Sequence, residues 1–194
     1  MKNRRLDDQD DGSGWLGYGG DLDLSNFLTG RHRFNGVLFD IQVNAEKEAA
    51  LLMHGKLNPA GAFPEQVTLL PKPFRAAELH FLMNTAFRTN EKGRVGAIQI
   101  GYTDDTEEIV DLVYGKNIFC YYDKRLGADA RIAWTGETRN GKTVQVWDLV
   151  WTNPDPKKKV DSITLESAGS AAAPILYAVT GVEPARSRRF LGLF

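Results

Sequence analysis

Residues 131–151 read RIAWTGETRNGKTVQVWDLVW. Two runs rich in β-branched and aromatic residues, Arg131–Glu137 and Thr143–Trp151, flank Thr138-Arg139-Asn140-Gly141-Lys142. Asn-Gly between such runs is a hairpin signal, because these residues accept the positive φ that tight turns require. Upstream, Val95–Thr103 alternates: Val95, Ala97, Gln99 and Gly101 oppose Gly96, Ile98, Ile100 and Tyr102. A period of two argues for a half-buried strand. Asp104-Asp105 then marks a turn, and Glu107–Tyr114 follows as the next strand. Earlier still, Val37–Val43 places Val37, Phe39, Ile41 and Val43 on one face. Ala49–Met53 and Gln66–Leu70 come next, the latter ended by Pro71 and Pro73. The apolar run Glu78–Phe87 is ambiguous by periodicity, and its strand neighbours and aromatic content assign it as a strand. Val160–Glu166 and Ile175–Val182 close the set. About nine or ten short strands with turn signals between them, and no amphipathic helix, predict an all-β sandwich or barrel in a single domain.

The 194 residues suit one domain, and a chain of this size buries roughly 70% of its unfolded surface without disulfide staples. With 24 basic and 25 acidic residues the net charge is −1. That balance argues against a sequence-independent nucleic-acid binder, which needs a dense basic surface. No run approaches the ~18 apolar residues of a membrane span. Met1–Arg5 is basic, but Asp7, Asp8, Asp10 and Asp11 stand where the apolar part of a signal peptide belongs. The chain therefore reads as cytoplasmic, or as a module of a larger exported protein. Cys120, between Phe119 and Tyr121, reads as a small buried apolar side chain. Residues 1–14 are polar and read as a mobile lead-in, and 15–36 as an ordered but irregular segment. The tail 183–194 sets Arg186, Arg188 and Arg189 before Phe190, Leu191, Leu193 and Phe194. Either it docks on the domain's own surface or it is an interaction tail for self-association.

Few residues have the spacing of known chemistry. His32, His54 and His80 lack the spacing of a zinc site. Asp21, Asp23 and Asn26 cluster oxygens that suit a hard cation, so calcium is the one cofactor with candidate ligands. There is no Gly-x-Ser-x-Gly elbow, and Gly17, Gly19 and Gly20 do not form a phosphate-binding loop. A carboxylate pair for glycoside hydrolysis would come from Asp104, Asp105, Asp123 and Asp148. The aromatics suggest more. Trp147 and Trp151 share a strand face with Leu149 between them, the pattern of a core. Trp134 lies on the partner strand, and Tyr121, Tyr122, Asp123, Lys124 and Arg125 form a mixed aromatic and charged loop. Aromatic faces stack on sugar rings while polar groups grip hydroxyls. Trp134, Tyr121, Tyr122 and Arg125 are accordingly the candidate ligand-binding residues.

The order of motifs along residues 15–182 is itself informative. Gly17-Tyr-Gly-Gly-Asp-Leu-Asp-Leu24 and Leu28-Thr-Gly30 precede Phe34-Asn-Gly-Val-Leu-Phe-Asp-Ile41 and Leu79-His-Phe-Leu82. Gly96-Ala-Ile-Gln-Ile-Gly-Tyr102, Trp151-Thr-Asn-Pro154, Ile163-Thr-Leu-Glu-Ser167 and Pro174-Ile-Leu-Tyr-Ala-Val-Thr180 follow. The whole resembles the galactose-binding-domain-like β-sandwich modules attached to bacterial glycoside hydrolases. The resemblance implies a jelly-roll sandwich with a non-catalytic, carbohydrate-binding or packing role, partnered by a glycan or a neighbouring domain. It departs from that pattern at Met83, where the family's strand continues with histidine. Two alternatives stand beside it: a structural or assembly subunit that uses its terminal segments, and a small glycan-active hydrolase with a carboxylate pair.

Overall fold

A computed structural model describes residues 1–8, 15–16, 21–90, 92–123, 129–184 and 190–192. Among them run twelve strands. The first half holds β1 (Gly30–Phe34), β2 (Val37–Ile41), β3 (Leu51–Leu52), β4 (Gln66–Leu69), β5 (Glu78–Thr85) and β6 (Arg94–Tyr102). The second holds β7 (Glu107–Val113), β8 (Ala130–Glu137), β9 (Thr143–Thr152), β10 (Val160–Ser167), β11 (Pro174–Val182) and β12 (Phe190–Gly192). Every strand-to-strand ladder is antiparallel. The all-β, sandwich-like architecture expected from the sequence is what forms, and the ambiguous run at 78–87 is indeed a strand.

The strands divide into a central sheet ordered β12-β11-β5-β9-β8, a four-stranded sheet ordered β4-β10-β6-β7, and the β1–β2 hairpin. The small β3 also pairs with β11. Leu51, Phe81 and Leu176 of the central sheet meet Val67, Ile98, Ile163 and Leu165 of the four-stranded sheet around one small internal void. That contact is the sandwich core. In β6, buried Ile98, Ile100 and Tyr102 alternate with half-buried Gln99 and Gly101, as a sheet with one solvated face requires.

The central sheet behaves differently. In β5, Leu79–Thr85 are all buried, and in β11 so are Pro174–Gly181. Both faces of the sheet are therefore covered at β5 and β11. Its second face carries His80, Asp148, Thr180 and, after a bulge in β8, Trp134. The cover is the N-terminal part of the chain, here called the strap. Trp15 stacks on Tyr177 with centroids 6.2 Å apart, and Phe27 meets both Tyr177 and Trp134 edge-on at 5.2 Å. Phe39 of β2 packs on His80 at 6.4 Å. Fully burying one such large apolar side chain contributes about 1.5–3 kcal/mol, so the strap is an integral third layer.

Two strands were not anticipated. In β1–β2 the turn is Asn35-Gly36, with φ of 51° and 84°, the two positive values of a tight hairpin turn. The tail supplies β12, which pairs with Thr180–Val182 of β11. The start of the chain, expected to be mobile, is bonded over its first residues. Asn3 and Arg4 donate to the carbonyl of Ala50, and the Asn3 side chain holds both backbone groups of Leu52. These bonds extend β3 by backbone pairing, which polar composition does not reveal.

Lys2 lies along the edge of β11 opposite β5, between the β3 and β12 pairings. Tyr177 falls between the residues paired to β3 and those paired to β12, and Lys2 Nζ donates to its carbonyl. Burial pushes the Lys2 amine down from 10.5 to about 7. Between those two values the unfolded chain binds a proton that the folded chain does not, so stability rises with pH. The slope is at most about 1.4 kcal/mol per pH unit, and below pH 7 the full penalty remains. Lys2→Met is expected to flatten this slope. Urea midpoints of parent and variant between pH 7 and 10 would show it as a gap that narrows with rising pH.

Candidate functional site

Among the described residues, the four-stranded sheet presents a solvated face. Cross-strand partners place Thr68, Thr164, Gln99 and Ile109 in one row across it, and Ser162, Gly101 and Glu107 in the next. Most of its polar groups are satisfied internally. Gln66 and Gln99 both donate to Glu166, at 2.9 and 3.3 Å, and the Thr68 and Thr164 hydroxyls bond each other at 2.9 Å. Toward one end the row sinks into an open depression of ≈410 Å³. Gly101, which has no side chain, and the small Ser162 lie across its floor. Leu70, 79% exposed, stands on one side, and Asp105, Thr106 and Glu107 on the other. Asp161 completes the rim.

The turn beside the depression is built rigidly. Asp105 adopts φ 64°, and its N–H donates to the carbonyl of Tyr102. Asp104 accepts from the Thr106 hydroxyl at 2.6 Å and pairs with Lys158 at 2.9 Å. The Thr106 and Lys158 bonds hold the Asp104 carboxyl down at about 2. Beneath, the Tyr102 hydroxyl donates to Asn153 Oδ1 at 2.7 Å, and Asn153 Nδ2 donates to the carbonyl of Ala76. The floor is thereby tied to the loop that enters β5.

The residues expected to stack on a ligand lie elsewhere. Tyr121 is fully buried against Trp15, and its hydroxyl donates to the carbonyl of Leu22. It has no face open to a ligand. Trp134 is half-buried under Phe27, with its ring over Gly136, where an added Cβ would come within 2.1 Å. Tyr122 is half-buried and capped by the Arg88 guanidinium, 4.5 Å from the ring centre. Arg125 lies outside the described residues. Tyr121 and Trp134 pack against the strap residues Trp15 and Phe27. Trp147 is core as its face predicted, stacked on Phe119 at 4.3 Å.

Asp21, Asp23 and Asn26, the expected calcium ligands, bond along residues 137–142. Each fastens the strap to the β8–β9 loop. Asp21 accepts from Asn140 at 2.8 Å and from Lys142 at 2.7 Å. Buried Asp23 accepts from the Arg139 backbone N–H at 3.0 Å, and Asn26 Nδ2 donates to the carbonyl of Glu137 at 2.9 Å. Among the described residues, no three His, Cys, Asp or Glu side chains are grouped to hold a metal ion.

The carboxylates considered for a hydrolytic pair sit in three places. Asp104 and Asp105 belong to the turn at the depression. Asp123 pairs with Arg88 at 2.7 Å and accepts from the Tyr114 hydroxyl at 2.7 Å and from the Cys120 N–H. Asp148 is wholly buried in β9, where His80 Nδ1 lies 3.1 Å away and Arg131 donates at 2.9 Å. The other His80 nitrogen is 3.3 Å from Glu78. Cys120 is buried, and desolvation pushes its thiol up to about 12, as inert thiols show.

Comparison of the sequence with protein-family models and with curated proteins finds no match. The depression was missed in the sequence because its floor is glycine and serine. Only the alternation that set Gln99 and Gly101 opposite Ile98, Ile100 and Tyr102 pointed toward that face.

Proposed function

We propose that the chain is a non-catalytic β-sandwich module, of the jelly-roll type, that binds a glycan in the depression over Gly101. The observation that carries this reading is the pairing of hydroxyl and carboxylate groups with one exposed leucine in a concave site. Sugar hydroxyls donate to carboxylates and exchange bonds with serine and threonine hydroxyls. An aliphatic side chain such as Leu70 offers a surface to the apolar face of the ring. The location also agrees with the central sheet being covered on both sides at β5 and β11. The alternative, a subunit assembling through its terminal segments, has less support. Asn3, Arg4 and β12 are bonded to the chain's own β3 and β11.

A glycan array on the folded chain, followed by calorimetry on any hit, tests the proposal. Ser162→Trp, which fills the floor, and Asp161→Ala are expected to weaken binding at least about tenfold, the equivalent of losing one good polar contact. Trp134→Ala should leave affinity unchanged, since Trp134 lies on the other sheet. A blank array, or binding indifferent to Ser162→Trp, would remove the depression from consideration.

A further inference from the structure

The four-stranded sheet ends on β7, which pairs with β6 and with no other strand. In an antiparallel ladder, successive residues turn their backbone groups alternately toward the partner and away from it. The parity of β7 is set at both ends. The Thr106 carbonyl accepts from the Tyr102 N–H, and Tyr114 donates to the Gly93 carbonyl and accepts from the Lys92 N–H. Even-numbered residues between them therefore face β6, and Glu107, Ile109, Asp111 and Val113 turn outward. Asn117 closes the far end of this edge. Its side chain accepts from the Val113 N–H at 2.8 Å and donates to the Asp111 carbonyl at 2.9 Å. Among the described residues, nothing bonds the outward N–H and C=O of Glu107 and Ile109, or the N–H of Asp111.

Two other sheet edges are blunted, as edges of soluble proteins usually are. β4 is short and runs into Pro71 and Pro73. In β8 the carbonyls of Ile132 and Glu137 are taken by the side chains of Asn35 and Asn26. The open stretch of β7 also carries a distinct set of side chains. Glu107, Ile109 and Asp111 are exposed on the solvated face, Ile109 by 57%. Glu108 and Val110 are half-buried on the other face. Asp111 pairs with Arg94 at 2.9 Å, and both are more than half exposed. Pairing β7 with β7 of a second copy about Ile109 would set Glu107 opposite Asp111, and like charges directly opposite weaken a ladder.

We propose that β7 is a docking edge for an extended basic segment of another protein, added as a further antiparallel strand. The segment has the pattern Lys-x-Ile-x-Lys. Its central residue lies against Ile109 and exchanges backbone bonds with it, while the flanking cations meet Glu107 and Asp111. β-Branched residues at the x positions extend the apolar rim at Val110. Main-chain bonds supply affinity in this mode, and alternate side chains supply specificity. The edge does not depend on the glycan reading: Glu107 borders the depression, but Ile109 and Asp111 lie outside it.

The probe is a capped peptide with the core Lys-Val-Ile-Val-Lys, added to the full chain while amide exchange is followed by NMR. The amides of Glu107, Ile109 and Asp111 are expected to exchange at least about tenfold more slowly with millimolar peptide, as newly bonded amides do. The same peptide N-methylated at its isoleucine keeps both charges but cannot donate to the Ile109 carbonyl. It should bind at least about fivefold more weakly, the loss of one hydrogen bond. Asp111→Lys should weaken the parent peptide by up to about fivefold and favour one with glutamates in place of the lysines. Ile109→Pro removes an outward donor at a position where an edge strand tolerates proline. It should keep a cooperative melt and abolish the protection. Three results would overturn the proposal. The first is unchanged exchange at these amides with millimolar peptide. The second is equal binding of the N-methylated peptide, which would make the attraction electrostatic alone. The third is a chain that protects these amides unaided and sediments as a dimer, which would give the edge to a second copy.

Discussion

His80→Ala destabilises the fold by about 3 kcal/mol, because the buried Asp148 carboxylate loses a hydrogen-bond partner and the missing ring leaves a cavity. Asp148 is wholly buried, and its oxygens face His80 on one side and Arg131 on the other. Without the imidazole, the carboxylate keeps Arg131 as its one remaining side-chain partner among the described residues, and that guanidinium is half exposed. The vacated volume lies under Phe39, so packing between β2 and β5 is lost as well. Urea denaturation followed by circular dichroism measures the effect. The double variant His80→Leu, Asp148→Leu should recover most of it, because apolar replacement of a whole buried pair is often neutral. A loss under about 1 kcal/mol for His80→Ala would mean that Asp148 does not depend on the ring.

Trp15→Ala is the second large effect, expected at about 3–5 kcal/mol, the range for removing a buried aromatic. Trp15 is 1% exposed and touches Tyr177 face-on and Tyr121 edge-on. It anchors the strap near Asp7, whose carbonyl accepts its backbone N–H. The loss should be unevenly distributed. Exchange protection in β1 and β2 should fall, while β6 and β10, in the opposite layer, keep theirs. Uniform loss across all three layers would show that the strap and the sandwich unfold as one unit.

These two sites explain why the fold was more legible in the sequence than the site. Period-two alternation in Val95–Tyr102 and the Asn140-Gly141 turn report local geometry, and they located strands and a hairpin within a residue or two. Alternation assigns residues to faces, but it does not say what covers a face. The near-continuous apolar runs in β5 and β11 held the sign that both faces were covered, yet the covering residues lie in the Gly- and Asp-rich N-terminal part. There, Gly30–Phe34 reads as GRHRF, too charged to register as a strand, and the Asn35-Gly36 signal stood beside it unread. Tyr121 and Trp134 were judged as exposed aromatics for the same reason: their partners, Trp15 and Phe27, are about a hundred residues away in the chain. The depression depends on Gly101 and Ser162 being neighbours across a ladder. Two small residues so far apart in sequence carry no local signature.

The placement of the four tryptophans has a practical optical consequence. Trp15 belongs to the strap, and Trp134, Trp147 and Trp151 to β8 and β9; none lines the depression. Intrinsic emission therefore reports on the strap and the central sheet, and is nearly blind to an occupant over Gly101. A ligand that leaves the emission spectrum unchanged could still be bound there, whereas a red shift marks the strap lifting from Tyr177.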